Sequence, residues 1–253
     1  MRAIITYHSI DSSGSAISTS EQQFRQHASW LARNDKVKVV SLEALLSASD
    51  NDHAIALTFD DAFKNFRTVA APILSSHGFP ATLFIATSHA GRSNAWKAPR
   101  GAGEIPLLPL MDWADIASVA ERGISIGSHA RSHRALPSLC AADLHDEIAQ
   151  SADEIRRELG KRPSAFAYPY GIASARERNE VSRLYDLAVG AELSVLGEKS
   201  DRYMLPRIDA YYLRKAGVIE SFGLPKFIRF LKLRNRGRQL RTSVNRLLGP
   251  GGG

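Results

Sequence analysis

At 253 residues, the chain is long enough for one large α/β domain or two small ones, and it can bury a full core. Its 44% hydrophobic and 23% charged residues are ordinary for a globular protein, while the single cysteine, Cys140, excludes a disulfide framework or a Cys-rich zinc knuckle. The net charge of +7 is gathered in a tail: eight Lys and Arg and no acid follow Ser221, an asymmetry that points to a polyanionic partner.

The first predicted element is a buried strand, Ala3-Ile4-Ile5-Thr6-Tyr7, rich in β-branched residues and delivering His8 at its end. Neither this opening nor any later run has the form of a secretory signal or of the roughly 18 apolar residues that span a membrane. The expectation is a protein of a reducing, cytoplasmic compartment, peripheral on the membrane face. After a loop, Ser20 and Gln23 form a capping box for a helix whose inner face carries Phe24, Ala28 and Leu31. A short strand at Val37 to Val40 and a short helix at Leu42 to Leu46 follow.

The apolar run Ala54-Ile55-Ala56-Leu57 leads through Thr58-Phe59 into two adjacent carboxylates, Asp60 and Asp61. Consecutive side chains leaving a strand point in different directions, so the pair can divide its work, one Asp on a metal and the other a free base. A helix from about Asn65 to His77 ends at Gly78, and Ala81 to Ala86 reads as a buried strand. Residues 88–110, with several Gly and Pro and Trp96, read as a long loop over the site. Asp112 caps a helix to Arg122, and Ile124 to Ser128 is a strand running into His129 and His133. A helix over Ala142 to Leu159, with Leu144, Ile148, Ala152, Ile155 and Leu159 as its stripe, ends at Gly160. Ser164 to Tyr168 is a strand stopping at Pro169-Tyr170-Gly171; a helix near Arg176 to Tyr185 and strands at Leu187 to Val189 and Tyr203 to Leu205 complete the body. Alternating strands and helices argue for parallel βα units, whose active sites collect at the C-terminal ends of the strands. His8, Asp60, Asp61, His129, His133 and Tyr170 all fall there.

Two imidazoles four residues apart face the same way on a helical turn and can share one metal ion. The His pair alone also fits surface or capping histidines, and the Asp pair alone a helix cap or a structural cation site. Together they supply two His and one carboxylate with open positions, the ligand set of a hydrolytic metal centre. Zinc suits it, as do cobalt, nickel, iron and manganese in the divalent state.

Thr58-Phe59-Asp60-Asp61, Ser128-His129 with His133, and Phe166-Ala167-Tyr168-Pro169-Tyr170-Gly171 resemble three ordered motifs of the polysaccharide deacetylases, the NodB-homology group or carbohydrate esterase family 4. The resemblance runs from the first strand to about Ile208. It implies a distorted, incomplete (β/α) barrel of about seven parallel strands and a metal-dependent N-deacetylase. It makes Asp60 the base, Asp61, His129 and His133 the metal ligands, and the Tyr170 N–H the oxyanion donor. Two departures stand out: Ala167 replaces the family's Arg before the Pro, and Leu205-Pro206-Arg207 replaces its late Leu-x-His. Ile5-Thr6-Tyr7-His8 is similar to the opening of the rearranged branch that deacetylates poly-N-acetylglucosamine, which implies His8 as the general acid. Arg207 and Asp209 fall where a supporting partner of the site could sit.

The chain therefore divides into a deacetylase-like body, 1–220, and a basic amphipathic helical tail, 221–253. In the tail, Phe227, Ile228, Phe230, Leu231 and Leu233 interleave with cations, a composition suited to an anionic membrane surface through residues 222–248. A solvated helix packed on the body is the plain alternative, and nucleic acid is disfavoured because no recognition motif accompanies the charge. The expected substrate is an N-acetylated glycan or a lipid-linked sugar. The rival readings are a deformylase, amidase or cyclic-imide hydrolase on the same fold, or a non-catalytic carbohydrate-binding relic.

Overall fold

The computed structural model describes residues 1–49, 52–96 and 105–247, with side chains described up to residue 237. The low-complexity end, residues 249–253, lies outside the described residues.

The strands are β1 (Arg2–Tyr7), β2 (Ser9–Ile10), β3 (Ser18–Thr19), β4 (Lys38–Val39), β5 (Ala54–Phe59), β6 (Ala81–Ile85), β7 (Ser125–Ser128), β8 (Ala165–Ala167), β9 (Leu187–Val189) and β10 (Ile208–Asp209). Between them run α1 (Glu21–Arg33), α2 (Leu42–Ser47), α3 (Ala71–Ser76), α4 (Trp113–Glu121), α5 (Ala141–Leu159) and α6 (Ala175–Ser182), and α7 (Pro225–Leu247) follows. Seven strands form a continuous sheet in the order β10-β1-β5-β6-β7-β8-β9, with β4 beside β5. Every pairing is parallel. Helices cover a parallel sheet on its outer face, so central strands are largely apolar, and all six residues of both β1 and β5 are buried.

The sheet curls into the expected distorted barrel, and one segment reaches both of its ends. Leu205 makes a parallel bridge to Val189 beside β9, and Ile208 and Asp209 pair with Ile5 and Thr6 of β1. The last strand thus lies at Ile208–Asp209 rather than at Tyr203 to Leu205. Pro206 has no N–H to continue the ladder on β9, and the chain crosses to β1 at that point.

Local chemistry explains the other elements. Ser20 accepts from the Gln23 N–H, and both arms of the capping box are made. The helix after Asp60-Asp61 opens with a π-helical turn, Phe66–Ala70, before α3. Pro72 lacks an N–H for the α-helical ladder, and a widened turn absorbs its ring. The described parts of the predicted loop over 88–110 carry pairing: Ser93 bridges Pro109 and Phe63 bridges Leu110, both antiparallel. At the far end, Phe222, Phe227 and Leu231 join the main core cluster, so the first turns of α7 pack on the body beyond the 220/221 boundary that charge suggests.

Candidate active site

Strand register delivers the first pair of groups. Tyr7 lies opposite Phe59, so the next residues, His8 and Asp60, leave adjacent strand ends side by side. The Asp60 N–H donates to the Tyr7 carbonyl at 2.9 Å. His8 Nε2 stands 3.8 Å from Asp60 Oδ2, with the imidazole 20% exposed and the carboxylate 3%. That separation is too long for a direct hydrogen bond.

Asp61 turns the other way. Its Oδ1 lies 3.6 Å from His129 Nε2 and 3.3 Å from His133 Nε2. The three donor atoms fall within 4.8 Å of one another, all three residues buried. Asp61 Oδ1 has no hydrogen-bond donor, and a buried carboxylate oxygen is costly unless something positive reaches it. His129 Nδ1 lies 2.7 Å from the Ala167 carbonyl, which fixes the N–H there and turns Nε2 as an acceptor toward Asp61 and His133. Burial lowers the His129 pKa to about 4, so the ring is neutral at pH 7, as a ligand must be. Orphaned oxygen, directed imidazole and donor spacing all fit one divalent ion.

The His pair does not ride on a helical turn, as its spacing suggested. Residues 129–135 form an irregular loop in which Ala130 and His133 take left-handed backbone conformations, φ 61 and φ 58. The clamp on this loop is Glu147 of α5, which accepts the Arg131 N–H at 3.0 Å and the Ser132 N–H at 2.8 Å, and also bonds the Ser132 hydroxyl. Glu147 is 5% exposed, and it sits three residues after Leu144 on the apolar stripe. An acid on that face was the signal available in the sequence.

Asp60 is gripped by Arg207, which lies just ahead of β10. Arg207 Nη1 and Nη2 each donate to Asp60 at 2.7 Å, one to each carboxylate oxygen. Its Nε donates to the Gly190 carbonyl at 2.8 Å and Nη1 also reaches Thr6 Oγ1 at 3.0 Å. Burial alone would raise the Asp60 pKa, but the Arg207 guanidinium overrides it and holds the carboxyl well below the usual range. Asp209, the other candidate near the last strand, caps the turn that follows it, accepting the Tyr211 N–H at 2.8 Å.

Pro169-Tyr170-Gly171 ends β8 in a tight turn with Tyr170 at φ 61, ψ 5. Its ring meets the edge of His133, centroids 4.7 Å apart, and burial followed by the Asp61 charge raises the Tyr170 hydroxyl to about 12. Gly171 also has positive φ, and a Cβ there would lie 2.1 Å from that of Ala191, so only glycine fits. Among the described residues, the non-glycine residues with positive φ are Asp61, Ala62, Ala130, His133 and Tyr170. All sit at or beside the site, where such strain collects when surrounding contacts over-determine it.

A protein-family model for polysaccharide deacetylases matches residues 47–186. The chain belongs to the polysaccharide deacetylase family. It is 24% identical over 210 residues to the protein YxkH of Bacillus subtilis, covering 81% of this chain and 70% of that one. It is 23% identical over 209 residues to the poly-β-1,6-N-acetyl-D-glucosamine N-deacetylase of Staphylococcus epidermidis, covering 76% and 67%. Among solved structures, the deacetylase PplD of Streptococcus pyogenes, in complex with acetate, shares the fold at a TM-score of 0.70 and 21% identity, over 82% of this chain and 91% of that one. Asp60, Asp61, His129, His133 and Tyr170 lie inside the matched range; His8 and Arg207 lie outside it.

Proposed function

We propose that the chain removes the N-acetyl group from an N-acetylated sugar in a glycan or lipid-linked glycan precursor, using one divalent ion. The observation that carries this reading is the division of the adjacent carboxylates: Asp60 is bound by Arg207, while Asp61 faces two imidazoles. The Staphylococcus epidermidis relative, named for deacetylation of poly-N-acetylglucosamine, supports the substrate class.

Asp61, His129 and His133 would hold the ion, zinc first among those that suit them. When bound, it supplies Lewis acidity toward water and the amide oxygen. Asp60 remains ionised, and its lone pairs not engaged by Arg207 accept the proton of the attacking water as oxygen bonds to the carbonyl carbon. The Tyr170 N–H, held by its left-handed backbone, donates to the oxygen that gains charge. An amine leaves poorly unless protonated, so His8 donates to nitrogen as the C–N bond breaks, giving acetate and the free amino sugar.

The test is acetate release from N-acetylglucosamine oligomers, with and without chelator, by wild type, His8→Ala and His129→Ala. His8→Ala keeps its metal and loses turnover by about 10²-fold or more, whereas His129→Ala loses both. Near wild-type turnover by the His8 variant sinks its assignment as the acid.

We also propose that the chain lies against an anionic membrane face. Lys226, Arg229, Lys232, Arg234 and Arg236 are exposed, while Phe227 and Leu231 are buried. Attraction would therefore rest mainly on charge, with Leu224 and Leu233 the exposed apolar side chains beside it.

A further inference from the structure

The two candidate histidine ligands are supported differently. A metal-binding imidazole ordinarily donates its second ring N–H to a carbonyl, carboxylate or water, which fixes the ring and strengthens the bond to the ion. His129 has that partner in the Ala167 carbonyl at 2.7 Å. His133 does not: its Nδ1 is buried without a hydrogen-bond partner, and the ring is only 6% exposed. What it has instead is a stack. The Trp96 indole lies face to face with it, ring centroids 4.2 Å apart and planes inclined by 26°. Tyr170 and His129 meet its edges at 4.7 and 4.8 Å.

Trp96 is itself held in place. It follows Asn94, a buried residue whose side chain ties the ribbon formed by residues 92–94 and 106–110 together. Asn94 Nδ2 donates to the Pro106 carbonyl at 2.9 Å, and Asn94 Oδ1 accepts the Leu108 N–H at 2.7 Å. His89 packs edge-on against the indole, centroids 5.0 Å apart. The ribbon thus carries a flat, rigid aromatic to one face of His133, where rotation about the imidazole χ2 would drive the ring into the indole.

We infer that Trp96 is a positioning residue of the metal centre, orienting His133 by stacking where a hydrogen-bonded partner would ordinarily do so. The inference rests on the reading of Asp61, His129 and His133 as metal ligands. It extends the site to a residue that no charge or hydrogen bond would pick out.

The test is the affinity of the full-length apoprotein for Co²⁺ and Zn²⁺, by competition with a chromophoric chelator, in wild type, Trp96→Ala and Trp96→Phe. Loss of a partner that orients a ligand weakens metal binding by about 10–100-fold, so Trp96→Ala should lose about tenfold or more. Trp96→Phe keeps a stacking ring and should recover most of the affinity. The d–d spectrum of bound Co²⁺ should move in the Ala variant and return toward wild type in the Phe variant, which a merely structural role would not produce. Co²⁺ should also quench a share of the indole emission that Trp96→Phe no longer shows. Wild-type affinity and an unchanged Co²⁺ spectrum in Trp96→Ala overturn the role of Trp96 alone. Equal loss in the Ala and Phe variants also overturns it. A wild-type protein that binds neither ion overturns the metal reading together with it.

Discussion

Replacing Arg207 by Met tests the ion pair on which the base depends. Arg207 and Asp60 are 4% and 2% exposed, and two 2.7 Å bonds join them. Removing the guanidinium leaves a buried carboxylate without its counter-charge, which costs about 3–5 kcal/mol. At roughly 2–4 °C per kcal/mol for a chain of this size, the metal-free protein should melt roughly 10 °C lower. The carboxylate also loses its fixed orientation, and a misplacement of about 1 Å costs about 10²-fold in turnover. Arg207→Lys keeps a charge but not the fork, and should fall between Met and wild type. Asp60→Asn is the second arm of a cycle: once the carboxylate is neutral, Arg207→Met strands no charge. The double variant should therefore be more stable than the summed single losses predict, by about 1–3 kcal/mol. Thermal unfolding in chelator and steady-state acetate release measure both halves. An Arg207→Met protein melting within about 2 °C of wild type, or a cycle that is additive, refutes the argument.

Gly171→Ala puts a Cβ 2.1 Å from the Cβ and 2.6 Å from the nitrogen of Ala191, at φ +67; overpacking and backbone strain should cost about 2–4 kcal/mol, and an unchanged melting temperature would contradict the tight turn. His27 is buried, with Nδ1 3.0 Å from the Tyr7 hydroxyl, and burial lowers its pKa. Below the ordinary value of about 6.5 the unfolded chain therefore binds the proton more readily than the folded one, so His27 costs stability as pH falls through that window and nothing above it. The melting temperature should drop less between pH 7 and pH 5 in His27→Gln than in wild type; parallel curves would reject this. For the tail, Arg229→Gln, Lys232→Gln and Arg236→Gln together should abolish co-flotation with anionic vesicles at low salt while leaving Phe227 and Leu231 in the core. Wild-type protein that fails to float at low salt ends the membrane proposal.

The strands were readily legible in the sequence, because runs such as Ala54 to Phe59 and Ala81 to Ile85 are apolar but for one threonine each. The sequence also singled out Asp60, Asp61, His129 and His133, which follow β5 and β7. The clasp on each was hidden. Arg207 is separated from Asp60 by 147 residues, and only the pairing of β10 with β1 brings them together. The helical spacing of His129 and His133 suggested the right meeting by the wrong route, because backbone strain at Ala130 and His133, held by Glu147, does what a helical turn would have done. Left-handed conformations at five non-glycine positions leave no mark in composition. In the cationic tail, composition left a membrane face and a helix packed on the body both open, and the burial of Phe227 and Leu231 in the core depends on contacts that composition does not carry.

The two departures from the family pattern share one physical cause. Ala167 cannot reach the base and no late histidine follows Leu205, so both functions must come from elsewhere on the barrel. Thr6 pairs with Asp209 on one side and with Thr58 on the other, which places β1 between the last strand and the strand that carries Asp60. His8 therefore leaves the strand beside Asp60, and Arg207 enters just ahead of β10, bonding Thr6 on its way to Asp60. The proposed acid and the residue that holds the proposed base thus arrive together at the seam where β1 and β10 meet. A slip of β10 by one residue would turn its side chains to the opposite face, removing Arg207 from Asp60 while leaving every metal ligand in place. Asp60, the proposed base, is thus sensitive to the pairing of β10 with β1, whereas the Asp61, His129 and His133 group, built on β5 and β7, is not. Destabilising β10 should therefore reduce turnover before it reduces metal affinity. Asp209→Ala, which removes the cap on the turn after β10, should show that order under increasing urea, and simultaneous loss of both properties would contradict it.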